Sequence, residues 1–335
     1  MLKMIDLFAG AGGFHLAFKG LADCVYASEI DPIVQTVYEA NHGFRPHGDI
    51  TLQATKDAIP EEFDILCGGF PCQAFSHAGK RLGFTDTRGT LFFDVAEIAK
   101  KHKPSVVFLE NVAGLTTHDD GKTFTTILNV LDEIGYEVKY AILNSMEVAN
   151  IPHNRERIYI VGFNREKVSQ QAIDQFSFPA EMPLTTSIQD LLEKGVIDSK
   201  YYYTKAKYPD IFDILDSSMS GTDTLYQWRR KYVRENKSKV SPCLTANMGT
   251  GGHNVPLLRE VGGAIRKLTP RECFNFQGYA SSYVFPPKVS DSRLYKIAGN
   301  SVTVPVLEAI ARNILVVKEW DNHPIDIEVV GVNTI

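Results

Sequence analysis

No stretch of this 335-residue chain is apolar for long enough to cross a bilayer, and its start, Met1-Leu2-Lys3-Met4-Ile5-Asp6, lacks the layout of a signal peptide. Cysteine is scarce: the five thiols include no C-x-x-C pair, and none stands at metal-type spacing from a histidine. These absences exclude a disulfide-stapled scaffold and a Cys/His metal centre, and point to a reduced, cytoplasmic compartment without membrane attachment. Positive charge is not in excess either. Thirty-five Lys and Arg face 40 Asp and Glu, a net charge of −5, which speaks mildly against a polyanionic partner unless basic residues gather on one face. Repeats and low-complexity tracts are missing. With 44% hydrophobic and 22% charged residues, the composition is globular, and the length suits one large domain with a smaller one.

The stretch that organises the chain is Ile65-Leu66-Cys67-Gly68-Gly69-Phe70-Pro71-Cys72-Gln73-Ala74-Phe75-Ser76. An apolar run breaks at paired glycines, Pro71 fixes a backbone angle, and a cysteine follows. Strand, turn, nucleophile is the reading, because glycine permits the turn and proline stiffens it behind the thiol. Cys67 sits inside the apolar run and reads as a buried structural thiol. Cys72 lies past the turn among polar residues and reads as the reactive one.

Upstream, Met4 to Phe8 reads as a buried strand, followed by the Gly-rich turn Ala9-Gly10-Ala11-Gly12-Gly13-Phe14 and a helical pattern. That layout brings backbone N–H groups towards a nucleotide-like ligand. The spacing is not G-x-G-x-x-G, since His15 stands where the third glycine would fall, and a dinucleotide is disfavoured. A second strand, Cys24 to Ser28, ends at Glu29, which is placed to accept hydrogen bonds from ribose hydroxyls; Asp31-Pro32 reads as a helix cap. Gly48-Asp49-Ile50 offers a carboxylate and an apolar wall for an adenine ring, although an Asp in a turn is also ordinary turn chemistry.

Downstream, residues 77–89 carry three glycines with Lys80, Arg81 and Arg88, and read as a cationic lid. A helix over 91–101 leads to a strand over 106–109 that ends in Glu110, a candidate acid at a sheet edge. A helix over 122–133, a strand over 136–143 and a strand over 158–163 follow; Arg155 and Arg157 precede the last at strand spacing, as an anion or carbonyl clamp. The strand–helix rhythm stops near 176–183. Residues 184–262 are irregular and contain a window, 226–239, with six Lys or Arg against one Glu and three aromatics. That window reads as a solvated helix face or as a polyanion-binding surface, and the aromatics favour the second. Thr269-Pro270-Arg271-Glu272 reads as a capped helix start, and Gly299-Asn300-Ser301-Val302 as a turn before a last amphipathic helix.

Taken in order, Asp6-Leu7-Phe8-Ala9-Gly10-Ala11-Gly12-Gly13-Phe14, Gly69-Phe70-Pro71-Cys72-Gln73, Glu110-Asn111-Val112, Arg155-Glu156-Arg157, Leu268-Thr269-Pro270-Arg271-Glu272-Cys273, Gln277-Gly278-Tyr279 and Gly299-Asn300-Ser301-Val302 resemble the bacterial and phage DNA (cytosine-5) methyltransferases of restriction-modification systems. The resemblance covers the chain except the variable stretch near 184–262. It implies an α/β fold: a Rossmann-like domain over 1–183, completed by 300–335, with a smaller target-recognition domain and hinge over 184–299. It implies S-adenosylmethionine held by Phe8, Gly10, Gly12, Gly13, Glu29, Asp49, Ile50, Pro71 and Asn300. Catalysis falls to Cys72, Glu110, Arg155 and Arg157, with no metal. Duplex DNA is the implied partner, contacted by Ser76, Lys80, Arg81, Arg88, Arg229, Arg230, Thr245 and Gly251, and the target cytosine is flipped out of the helix. A monomer is expected, located with the nucleoid and functionally paired with a restriction endonuclease.

Three positions depart from the family pattern. His153 stands where Gln is usual, and a donor is kept. Cys243-Leu244 replaces Thr-Leu, with Thr245 as a substitute hydroxyl. Ile30 replaces an adenine-stacking aromatic. The rival readings are a tRNA methyltransferase, whose Cys-Phe-Thr signature is broken at Asn275, a non-catalytic nucleic-acid-binding module, and an NAD-dependent oxidoreductase.

Overall fold

The computed structural model describes residues 1–71 and 91–317. Cys72, Ser76, the lid residues Lys80, Arg81 and Arg88, and the tail after 317 lie outside them.

A six-stranded sheet is the frame, built from β1 (Leu2–Leu7), β2 (Ala22–Ser28), β3 (Ile65–Gly68), β4 (Val106–Val112), β5 (Tyr136–Asn144) and β6 (Glu156–Asn164) in the order β2-β1-β3-β4-β6-β5. Its strands alternate between two apolar cores. Met4, Cys67 and Phe108 face one layer, whereas Ile5, Leu66 and Val107 face the other. Burial on both faces is why these strands read as continuous apolar runs. Helices α1 (Gly13–Ala17) and α2 (Pro32–His42) follow β1 and β2, α3 (Leu91–His102) leads into β4, and α4 (Lys122–Glu133) leads into β5. Asp31 caps α2 by accepting from the Ile33 amide, with Pro32 at the first helical position. Both α3 and α4 pack on the second layer through Phe92, Val95, Ile127 and Leu131.

β6 runs antiparallel to both its neighbours. Only eleven residues connect β5 to β6, too few for the crossover a parallel neighbour requires, so the chain reverses direction instead.

The irregular stretch holds a second sheet. Strands β7 (Tyr202–Tyr203), β8 (Tyr226–Trp228), β9 (Val233–Glu235), β10 (Leu257–Arg259) and β11 (Ile265–Lys267) pair antiparallel in the order β7-β11-β10-β8-β9. Helix α5 (Pro209–Ser218) packs on it through Leu215, beside Met219, Tyr226, Leu257 and Ile265. The basic window is therefore a β-hairpin, and the helix-face alternative falls away. Strands of two or three residues are too short to show a period in sequence.

The chain then returns to the large sheet. α6 (Pro270–Asn275) starts at a capping box in which Thr269 and Glu272 satisfy each other's amides. α7 (Asp291–Asn300) carries the Asn300 end towards the first domain, and α8 (Val304–Val316) buries Val306, Leu307, Ile310 and Ile314 with Phe14, Ala17 and Phe18.

Candidate active site

A cleft of 490 Å³ opens at the carboxyl ends of β1, β2, β3 and β4, where ligands bind in open α/β sheets. Phe8 turns out of β1 in the left-handed region (φ 56°), a conformation a bulky side chain rarely adopts, and it lines the cleft with Gly10. Glu29, at the end of β2, accepts from the amides of Gly10 (3.0 Å) and Asp31 (2.8 Å). Burial raises its pKa above the ordinary carboxylate value, against the lowering effect of those amides. Asp49 accepts from the amide and hydroxyl of Thr51, which anchors the turn beside the buried Ile50. Ile30 is 68% exposed at the rim.

Of the nine cofactor positions expected from sequence, Phe8, Gly10, Glu29, Asp49, Ile50, Pro71 and Asn300 all line this cleft. Gly12 and Gly13 do not. A Cβ on Gly12 would run into the His42 ring and one on Gly13 into Val302, so these two glycines serve close packing behind the turn. The sequence argument overlooked Ser28, whose buried hydroxyl lines the same cleft without a hydrogen-bond partner among the described residues. An apolar wall, an acid after β2 and an unspent hydroxyl fit a nucleoside cofactor.

Glu110 and Arg157 share the inner wall. Their side chains pair at 3.0 Å between Nε and Oε1, both nearly buried. The approach is off-line for a hydrogen bond, so Glu110 Oε1 has no hydrogen-bond partner among the described residues. Asn111 donates to the Phe70 carbonyl at 2.8 Å and thereby ties β4 to the turn that leads into Cys72.

Arg155 does something different. Its Nη1 donates to the carbonyl of Leu244 (3.0 Å) and reaches that of Gly299 (3.5 Å), and its Nη2 donates to Ser301 (2.5 Å). The guanidinium is 2% exposed, and burial followed by the nearby Arg157 lowers its pKa. With both Nη groups spent on main-chain carbonyls, the carbonyl-clamp geometry belongs to Arg157.

A second cavity, of 440 Å³, lies against the small sheet and is lined by Arg229, Thr245 and Cys243, among others. Arg157 Nη2, in the wall of the first cleft, stands 3.9 Å from Cys243 Sγ, in the wall of the second. Arg230 is exposed on the hairpin turn (φ 63°) and does not line the cavity; Gly251 (φ 79°) lies in the loop at its edge.

The sheet and its edge cleft define a Rossmann-like α/β architecture with a nucleoside-sized cleft at its strand ends. The family model for C-5 cytosine-specific DNA methylase matches residues 2–316, and the chain belongs to that family. It is an S-adenosylmethionine-dependent DNA (cytosine-5) methyltransferase. Among curated proteins it is 47% identical over 318 residues to Type II methyltransferase M.Bsp6I of Bacillus sp. (strain RFL6), covering 94% of this chain and 98% of the relative. It is 41% identical over 325 residues to M.HhaI of Haemophilus parahaemolyticus, covering 93% and 94%. Among solved structures, the Dnmt2 methyltransferase of S. pombe superposes with a TM-score of 0.71 at 23% identity, covering 94% of this chain and 98% of that one. At that identity the likeness concerns the fold alone.

Proposed function

We propose that this chain methylates C5 of a flipped-out cytosine within a short duplex site by way of a covalent bond from Cys72 to C6. The observation that carries the reading is Glu110. Its carboxylate is buried, paired with Arg157, and has an oxygen free of hydrogen bonds in the wall beside the turn leading to Cys72.

Cytosine C5 is too weak a nucleophile to react alone. The Cys72 thiolate adds to C6 and pushes electron density to C5. Glu110 shares a proton with N3 and bonds the exocyclic N4, and Arg157 holds O2, so charge developing on the ring is stabilised by groups already in place. When bound, S-adenosylmethionine supplies the electrophilic methyl group. C5 would gain that methyl as its bond to the sulfonium sulfur breaks and S-adenosylhomocysteine is left; C5 then gives its proton to water, and expulsion of the Cys72 thiolate restores the aromatic ring. Glu29 and Asp49 are the groups for the ribose and adenine, and Phe8, Ile50 and Asn300 form the walls around them.

The large sheet with the last helix forms the catalytic domain in this reading, and residues 184–299 recognise the target and form the hinge. Lys80, Arg81, Arg88 and Ser76 clamp phosphates around the flipped base, and Arg229, Arg230, Thr245 and Gly251 contact the duplex. The protein acts as a monomer on nucleoid DNA in the bacterial cytoplasm, and its mark protects that DNA from a partner endonuclease, a role that the Type II naming of its relatives supports.

Transfer of labelled methyl groups to mixed-sequence duplex DNA, with mapping of the modified bases, tests the proposal. Label on C5 of cytosine within one motif, lost in Cys72→Ser and lowered about 10²- to 10⁴-fold in Glu110→Gln, supports it. Normal turnover by Cys72→Ser, or label on tRNA alone, overturns it.

A further inference from the structure

The hairpin β8–β9 sorts its side chains by face. Gln227 pairs directly with Arg234, flanked by the pairs Tyr226–Glu235 and Trp228–Val233. Successive residues of a strand point to opposite faces. Tyr226 is buried in the core of the small sheet, with Trp228 and Val233 packed against it, so Gln227 and Arg234 face the other way, into the 440 Å³ cavity.

Part of the polar lining of that cavity is already committed. The Asn236 amide is turned onto the Val240 carbonyl, the His253 ring meets the Tyr203 hydroxyl at 2.7 Å, and the Asn254 amide donates to the carbonyls of Asn247 and Gly251. Among the described residues, the side chains of Gln227 and Arg234 have no hydrogen bond or ion pair, nor do those of Arg229, Thr245 and Asn247 in the same lining, but only Gln227 and Arg234 stand opposite each other on paired strands. They are a pair of unspent polar groups on adjacent strands, in the cavity whose Cys243 stands 3.9 Å from Arg157 of the cleft.

We propose that Arg234 reads a guanine and Gln227 the adjacent base pair, next to the target cytosine, and that this pair fixes the methylated sequence. The inference rests on the DNA-methylating reading above. Arginine presents a planar fork of donors, and guanine alone offers two acceptors, N7 and O6, in the major groove. Opposed side chains of an antiparallel ladder stand about 4.5–5.5 Å apart at Cβ, between one and two of the roughly 3.4 Å steps between base pairs, so long side chains there reach neighbouring pairs. Arg230 and Lys231, exposed on the turn between the strands, have the phosphate-binding part.

The test is methylation by the full chain of a randomised duplex pool, followed by duplexes in which each guanine of the resulting motif is replaced in turn by 7-deazaguanine, which lacks the N7 acceptor. One guanine is expected to be sensitive, with kcat/KM falling about 10- to 100-fold. Arg234→Ala should relax the motif at that same position and no longer sense the replacement, whereas Arg230→Ala should slow all sequences alike. A motif unchanged in Arg234→Ala, or a wild-type protein indifferent to every 7-deazaguanine, overturns the inference. Should Arg234→Ala fail to fold, the wild-type measurement decides alone. Absence of methylation on any DNA would instead refute the function on which the inference rests.

Discussion

His153 bridges two segments far away in sequence: its Nδ1 lies 3.0 Å from the carbonyl of Phe276, and the Leu244 amide donates to its Nε2 at 3.1 Å. Nδ1 therefore carries the proton and Nε2 accepts, which defines a neutral imidazole. Burial, then the charges of Arg155 and Arg157, hold its pKa well below the usual histidine range. A glutamine amide offers the same donor and acceptor, which explains in this chain's own geometry why His153 can stand where the family has Gln.

His153→Gln should accordingly stay within about 1 kcal/mol of the parent in stability, whereas His153→Leu strands a buried amide and a buried carbonyl at about 1–3 kcal/mol each. Urea unfolding of both variants checks this. Equal losses for Gln and Leu would mean that shape, not hydrogen bonding, is what matters at 153.

Acid should weaken the fold from an identifiable place. The His15 and His42 rings stack with centroids 4.2 Å apart behind the Gly-rich turn, and burial lowers both pKa values to about 4. The unfolded chain binds these protons from about pH 6.5 downwards, whereas the folded chain waits until about 4. The contribution is thus complete above the unfolded value and is lost as the pH falls through that window, by up to about 1.4 kcal/mol per pH unit for each ring. Asp6 and Glu29, raised by burial, act in the opposite sense. The informative measurement is therefore a difference: His15→Gln/His42→Gln should show a flatter stability profile than the parent between pH 6.5 and 4.5. Parallel profiles would dismiss the effect.

How far all this was legible in the sequence follows from the range of each signal. The Asp31 cap, the Thr269–Glu272 box, the α4 boundaries and the β1 turn depend on residues within a few positions of one another, and each appears where the sequence placed it. The small sheet carried no readable period because its strands span two or three residues. Gly12 and Gly13 read as ligand glycines in the sequence, and the further reason that a side chain there would overlap His42 and Val302 lies too far along the chain to be read from it. Arg155 resembled Arg157 two positions on, and its three carbonyl partners lie roughly 90 to 150 residues away.

A buried ion pair between residues only six apart is Arg266 with Glu272, joined twice at 2.8 Å with side chains 2% and 0% exposed. Glu272 also accepts from the Thr269 and Glu193 amides, so one carboxylate holds the start of α6 and the approach from the variable region. Removing one partner of a buried pair leaves the other uncompensated, and Glu272→Ala should cost about 3–5 kcal/mol. Glu272→Gln keeps acceptor and size and should cost clearly less. Thermal unfolding of the two variants ranks them, and a harmless Glu272→Ala would show that Glu260, already 2.6 Å from Arg266, suffices.

Arg155 offers the sharpest separation of holding from reacting. Its guanidinium joins Leu244, in the wall of the second cavity, to Gly299 and Ser301, which flank the cleft residue Asn300. Gly299 is pressed so closely on the Thr245 backbone that a Cβ there would overlap it. The Leu244–Thr245 segment and the cleft wall at Gly299–Ser301 are thus one packed unit with Arg155 at its centre. Lysine keeps the charge but is a point donor that cannot span these carbonyls. Loss of a hydrogen bond from a charged group costs about 1.5–3 kcal/mol, so Arg155→Lys should lower stability by that order and raise KM for S-adenosylmethionine and for DNA together, with a smaller fall in kcat. Arg157→Lys should do the reverse, depressing kcat while the melting temperature and cofactor affinity stay close to the parent. Steady-state kinetics with calorimetry of cofactor binding distinguish the two. If Arg155→Lys instead lost kcat alone with unchanged melting and cofactor binding, Arg155 would touch the reacting base, and the division of labour between the two arginines would have to be reversed.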